Sequence, residues 1–223
     1  EQVVLARKRE QAAQLGLDIA GTLSNGASAA LLAEQNATVK AQTLDSGGTL
    51  AANALTLSGG TLTNRGALQG DNALSATFGQ LTNASGGTLL SGGNMTLNAA
   101  DASNDGSWQA QQLQVNADRF TNTGSVTGIS GLTGSVTGLL DNRGALNSQG
   151  AADLQAGSLR NSGKMLADSL TLQADTLQNS GLWQGSSQLS ATGDTLTTDA
   201  GSRTLTNGAL TLSAGQLTTD GTL

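Results

Sequence analysis

The chain has 223 residues, with 16 Asp and Glu against 10 Lys and Arg and a formal net charge of -6, a balance that argues against nucleic acid as a partner because phosphate backbones are held by clustered Lys and Arg. Aromatic residues make up 2% and charged residues 12%, against a charged share of about 25% in ordinary globular domains. With 31 Gly and no Pro, Cys or His, the chain excludes disulfides, thiolate chemistry and histidine-based catalysis, and no cofactor or metal is expected.

Residues 1–22 do not repeat. Val3, Val4, Ala6, Ala12, Ala13 and Leu15 surround a charged centre, which leaves two alternatives open: a short capping helix, or a degenerate turn of the repeat that follows. Arg7-Lys8-Arg9, flanked by Glu1 and Glu10, reads as a solvated face. The start lacks the basic and apolar stretches of a secretory signal. No apolar run is long enough to cross a bilayer as a helix, so no membrane insertion is expected.

From Leu23 the phrase apolar-x-Asn-x-Gly recurs roughly every 19 residues, the signature of stacked repeats. It reads LSNG from Leu23, LDSGG from Leu44, LTNRG from Leu62, LTNASGG from Leu81 and ASNDG from Ala102. It continues as FTNTG from Phe120, LDNRG from Leu140, LRNSG from Leu159, LQNSG from Leu177, LTTDAG from Leu196 and LTTDG from Leu217. Between restarts, Leu55 and Leu57, Met95 and Leu97, Leu113 and Val115, Leu170 and Leu172, and Leu210 and Leu212 are spaced to face one side of a strand. Helical periodicity is absent. The spacing predicts an all-β parallel β-helix of about 10 to 11 turns, each contributing roughly three short strands, with one domain over 23–223. Turns about 4.8 Å apart give a monomeric rod roughly 50 Å long.

The Asn of the phrase is Asn25, Asn64, Asn83, Asn104, Asn122, Asn142, Asn161 and Asn179. Equivalent amides in stacked turns can donate and accept along the axis, so a structural Asn stack is preferred to ligands for a metal or sugar. Ser46, Thr198 and Thr219 replace Asn and are expected to interrupt the stack. Two residues on, Gly66, Gly144, Gly163 and their equivalents stand where a side chain would obstruct the turn. Without Pro, these corners are expected to use Gly and Asn in left-handed conformations.

Departures from the pattern are where recognition is expected. Trp108 and Trp183 stand two residues after the motif Gly, where Leu68, Val126, Leu146 and Met165 also stand. They read as core residues, with an exposed platform for stacking on sugars as the alternative. The stretch GSVTGISGLTGSVTG over 124–138 is expected to lengthen one turn and bulge as a loop. Asp101 with Asp105 and Asp194 with Asp199 are carboxylates near one another in sequence, but no Asp-Asp or paired-Arg motif accompanies them and the chain is not read as an enzyme. The chain stops at Leu223 just inside a repeat, which leads to the expectation of a piece of a longer protein.

The repeat as it stands, L-x-N-x-G-x-(L/W/M/V) followed by an L-x-L or L-x-A pair, resembles the haemagglutinin repeats of filamentous haemagglutinins and of contact-dependent growth inhibition exoproteins. Both are very large two-partner secretion proteins of Gram-negative bacteria. The resemblance covers about residues 23–223. It implies a right-handed parallel β-helix, export through an outer-membrane transporter partner, and a filament at the cell surface that meets a receptor on a target cell through regions outside this segment. The family's amino-terminal secretion domain and carboxy-terminal toxin region are not recognisable. An Arg-Gly-Asp tripeptide is absent too, since Asn64-Arg65-Gly66 and Asn142-Arg143-Gly144 continue into Ala. The first expectation for function is a shaft holding a distal receptor-binding or toxin-delivery region. The second is an adhesin that binds glycans or receptors through a lateral face, and the third, disfavoured, is a polysaccharide-processing enzyme.

Overall fold

Between Thr49 and Asn64, Leu50, Ala52, Leu55, Leu57, Leu62 and Asn64 are buried while most of their neighbours face out. Period-two alternation of this kind is what a strand with one face on a core produces. Each of these residues has a counterpart one turn later: Leu50 pairs with Leu68, Leu55 with Leu74, Leu62 with Leu81 and Asn64 with Asn83, all in parallel register. Stacking places like on like, so an inward row in one turn continues the row beneath it.

The computed structural model describes residues 2–5 and 9–223, and leaves out the side chains of residues 5 and 9–11. Arg7, Lys8 and the side chain of Arg9, expected as a solvated face, lie outside the described residues. The fold is a parallel β-solenoid of about 11 turns with a period of about 19 residues. No helix occurs among the described residues, so none is long and apolar enough to cross a membrane.

Two compact units divide the chain, Glu1–Gln111 and Gln112–Leu223. The strands are β1 (Gln2–Leu5), β2 (Arg9–Ala12), β3 (Leu15–Asn25), β4 (Ala30–Ala33), β5 (Asn36–Ser46), β6 (Thr49–Asn64), β7 (Ala67–Asn83), β8 (Thr88–Ser91) and β9 (Asn94–Asn104). Next come β10 (Ser107–Asn122), β11 (Ser125–Asn142), β12 (Ala145–Ser148), β13 (Ala151–Asn161), β14 (Lys164–Asn179), β15 (Leu182–Thr198), β16 (Arg203–Thr206) and β17 (Ala209–Thr219). Several are far longer than the short strands expected, because ladder pairing runs on through the corners of a turn.

Within the first unit β1 pairs with β3, β3 with β5, β5 with β6 and β6 with β7, all parallel. Residues 1–22, for which a capping helix or a degenerate turn was open, are therefore strand over Gln2–Leu5, Arg9–Ala12 and from Leu15 onward. In the second unit β11 pairs with β13, β13 with β14, β14 with β15 and β15 with β17, again parallel.

At two positions a glycine in one turn stands opposite a large residue in the next. Gly59 stands opposite Phe78, and a Cβ at Gly59 would lie 1.7 Å from Ala41 O and 3.2 Å from Phe78 Cε1. Gly134 stands opposite Leu154, and a Cβ there would lie 2.9 Å from Leu154 Cδ2. This pairing corrects the expectation of a loop over 124–138. Those residues belong almost wholly to β11, with Val126, Leu132 and Val136 buried, because a glycine under a large neighbour lets the strand stay in the stack.

The corners also differ from expectation. Among the described residues no non-glycine residue has positive φ, and only Gly86 and Gly201 do, at 82° and 86°. Each is the third residue of a turn closed by a hydrogen bond, Gly87 N to Ala84 O at 2.9 Å and Ser202 N to Asp199 O at 3.0 Å. That arrangement requires the glycine. The motif glycines are needed for another reason. The turn's N–H groups bond to the turn below, as Ala67 N does to Gly48 O at 2.9 Å. A Cβ on Gly66 would then lie 2.0 Å from Gly48 O, and one on Gly163 2.1 Å from Gly144 O. Crowding by backbone, not left-handed geometry, excludes a side chain there.

Candidate functional site

Inward-facing amides at the end of β6, β7 and β9 form one polar column within the first unit. Asn64 Nδ2 donates to Asn83 Oδ1 at 2.8 Å, and Asn83 Nδ2 donates to Asn104 Oδ1 at 2.9 Å. Each amide also ties down its own corner: Asn64 Nδ2 donates to Gly66 O at 3.1 Å while Asn64 Oδ1 accepts from Gly66 N at 3.2 Å. Asn25 stands apart from this column. Its Nδ2 donates to Ser46 Oγ at 3.4 Å and Thr49 O at 3.2 Å, and its Oδ1 is buried without a partner. Among the described residues no side-chain bond joins Ser46 to Asn64.

The second unit holds a longer column. Asn122 Nδ2 donates to Asn142 Oδ1 at 2.8 Å, Asn142 Nδ2 to Asn161 Oδ1 at 2.8 Å, and Asn161 Nδ2 to Asn179 Oδ1 at 2.9 Å. Beyond Asn179 the chemistry changes to hydroxyls. Asn179 Nδ2 donates to Arg203 O at 3.2 Å and Thr204 Oγ1 at 3.4 Å, while Thr198 Oγ1 and Ser202 Oγ are buried without partners. All eight asparagines are at most 1% exposed. Apart from Asn25, the amides within each column bond one another in one direction and tie down corner carbonyls.

Both tryptophans are in the core. Trp108 faces inward opposite Leu89, Trp183 lies between Met165 and Thr204, and each is 0% exposed. Neither indole offers a face on which a sugar could stack. The Trp183 Nε1 hydrogen has no acceptor. Among the described residues, no three Asp or Glu side chains come together to hold a metal ion.

Two grooves lie on outer corners of the second unit. A groove of about 290 Å³ has Leu166 among its lining residues, together with Gln149, Asp168, Gln184 and Ser186. Asn147, paired in register with Leu166, has a buried Oδ1 that accepts no hydrogen bond. A second groove of about 500 Å³ is lined by Gly138, Leu139, Ser158, Arg160, Asp175 and Thr176. Polar donors and acceptors around an aliphatic patch can take a neutral polyhydroxy ligand. Sequence reasoning missed both grooves, because their residues, such as Gln149, Asp168 and Ser186, come from successive corners and follow no repeated motif.

Comparison with known proteins adds the family. The family described as Haemagglutinin repeat matches residues 11–69, 67–112, 110–181 and 166–223, so its first match opens inside the segment set apart as 1–22. The chain is 34% identical, over 92% of its length, to deoxyribonuclease CdiA of Dickeya dadantii, and covers 7% of that protein. It is 33% identical over 95% of its length to toxin CdiA of Escherichia coli, covering 8% of it. It is 39% identical over 78% of its length to 16S rRNA endonuclease CdiA of Enterobacter cloacae, covering 6% of it. The chain thus spans a small fraction of the length of the relatives it matches. No solved structure shows significant similarity to it.

Proposed function

Because the chain belongs to the haemagglutinin-repeat family, we propose that it is a shaft segment of a large secreted exoprotein at the bacterial cell surface, one that holds a distal receptor-binding or toxin-delivery region away from the cell. The observation that carries this reading is how the inward residues are used. Leucines, asparagines and motif glycines are consumed in joining each turn to the next, which makes length and stiffness the product of the sequence.

Relatives named as a deoxyribonuclease, a tRNA nuclease and a 16S rRNA endonuclease all match this chain. Activities that differ while the repeat is shared are assigned to regions outside the segment, and the lack of His fits that assignment. Export through an outer-membrane transporter partner suits a chain with no Cys, which can close no disulfide before it crosses. A turn that needs its neighbour to bury its core stays unfolded until the next turn emerges.

The test is to exchange this segment, in the full-length parent, for the matching repeats of a relative with the same number of turns. Surface display and action on target cells are expected to persist. Loss of target-cell binding with display intact would show that the segment itself recognises the partner.

That outcome would favour a second reading, for which the groove at Leu166 speaks: an adhesin module that takes a glycan on the lateral face of the second unit. A glycan array probed with the isolated chain, and with Gln149→Ala and Gln184→Ala, tests it directly. Binding lost in both variants supports the module, and no binding by the parent chain retires it.

A further inference from the structure

Corners of matching geometry follow β8, β12 and β16. Gly93 N donates to Ser91 Oγ at 3.3 Å, Gly150 N to Ser148 Oγ at 3.2 Å and Gly208 N to Thr206 Oγ1 at 3.1 Å. Crowding fixes the glycine in each. A Cβ would lie 2.1 Å from Asn72 O at Gly93, 2.1 Å from Ser130 O at Gly150 and 1.9 Å from Ser187 O at Gly208. What varies is the residue between, which is Gly92, Gln149 or Asn207.

That variation has a chemical consequence. Among these, Asn207 alone carries a side-chain amide whose carbon can be attacked by the next peptide nitrogen to close a succinimide. Gln149 would have to close the larger and disfavoured glutarimide, and Gly92 has no amide. Gly208, held as glycine by Ser187 O, puts no side chain beside its own nitrogen, whose N–H must leave Thr206 Oγ1 before the attack. Asn207 is exposed, as Gly92 and Gln149 are at the matching corners, so water reaches it.

The chain contains a built-in comparison. Asn25-Gly26 is the same dipeptide, but Asn25 is 1% exposed and its Nδ2 donates to Ser46 Oγ and Thr49 O. These bonds hold its amide at a buried corner, and it reacts only when the corner opens.

From these corners we infer that Asn207-Gly208 is a site of spontaneous modification, at which Asn207 converts to isoaspartate and aspartate while Asn25-Gly26 persists. The Gly208 nitrogen bonds to Asn207 Cγ, the Cγ–Nδ2 bond breaks, and the former side-chain nitrogen leaves as ammonia with the Gly208 amide proton. Water then adds to one imide carbonyl. Opening at Cγ gives aspartate, and opening at the main-chain carbonyl gives isoaspartate with an extra methylene in the backbone. Either product adds a negative charge to a chain already at -6. The isoaspartate lengthens the link between β16 and β17, both of which pair with β15.

The experiment is incubation of the folded chain in mildly alkaline buffer, followed by peptide mass spectrometry with fragmentation that separates isoaspartate from aspartate. A urea-unfolded sample runs beside it. In the folded chain Asn207 is expected to convert at least about tenfold faster than Asn25, and in urea the two rates converge. Asn207→Gln, which copies the Gln149 corner, is expected to abolish conversion there and leave melting unchanged. Equal rates at Asn25 and Asn207 in the folded chain would overturn the inference. So would an intact Asn207 in the folded chain when the urea sample reacts.

Discussion

At the scale of single residues, the motif glycine and the motif asparagine restrain the same corner by different means, and their substitutions should cost differently. A methyl group at Gly163 would lie 2.1 Å from Gly144 O, a backbone atom that cannot rotate aside. Gly163→Ala must push two turns apart, for an expected loss of about 2 kcal/mol in urea unfolding. Asn161 accepts from Asn142 and donates to Asn179 within its column. Asn161→Ala removes both bonds and leaves buried partners short, for about 2 to 3 kcal/mol. Asn25 already has an unpartnered Oδ1. Asn25→Ala therefore gives up less, about 1 kcal/mol, and equal losses at the two positions would mean that the column contributes nothing beyond corner bonding.

At the scale of strands, Trp183 shows how much a position in β15 decides. Its indole is fully buried between Met165 and Thr204. Trp183→Ala is expected to cost about 3 to 5 kcal/mol by opening a cavity. Trp183→Phe keeps an aromatic ring and removes an N–H that has no acceptor, so its cost should stay below about 2 kcal/mol. Thermal melting of the two variants checks the order. Strand direction was legible here because pairs such as Leu170 and Leu172 carry it in their spacing. The reason for glycine was less legible. Sequence alone does not separate a left-handed corner from one crowded by a carbonyl a turn away, and at Gly163 the second applies. Composition misled over 124–138 for a related reason: the partner that makes Gly134 a packing residue, Leu154, is a full turn further along. The outer grooves were illegible, since they join corners that lie about a turn apart in sequence and follow no repeated motif.

At the scale of the molecule, stacking predicts that whole turns can be removed where part of a turn cannot. Lys164 pairs with Leu182 and Met165 with Trp183, so excision of 164–181 joins Gly163 to Leu182 with every inward row still in place. Ala151, which pairs with Ser169, would then meet Gln188, the residue Ser169 itself pairs with on its other side. Asn161 would take the place of Asn179 opposite Thr198, so an asparagine still faces that hydroxyl. In a nearest-neighbour stack this deletion removes one turn and one interface, leaving a folded chain with a proportionately smaller urea dependence. Excision of 173–181 alone is a different matter. It joins Leu172 to Leu182 and sets inward rows of one face over those of another, so the second unit is expected to lose its cooperative unfolding transition. Far-UV circular dichroism and urea titration of the two deletions decide the point. If the whole-turn deletion unfolds as badly as the partial one, the fold depends on contacts particular to that turn, and a shaft whose turns are exchangeable is the wrong description of this segment.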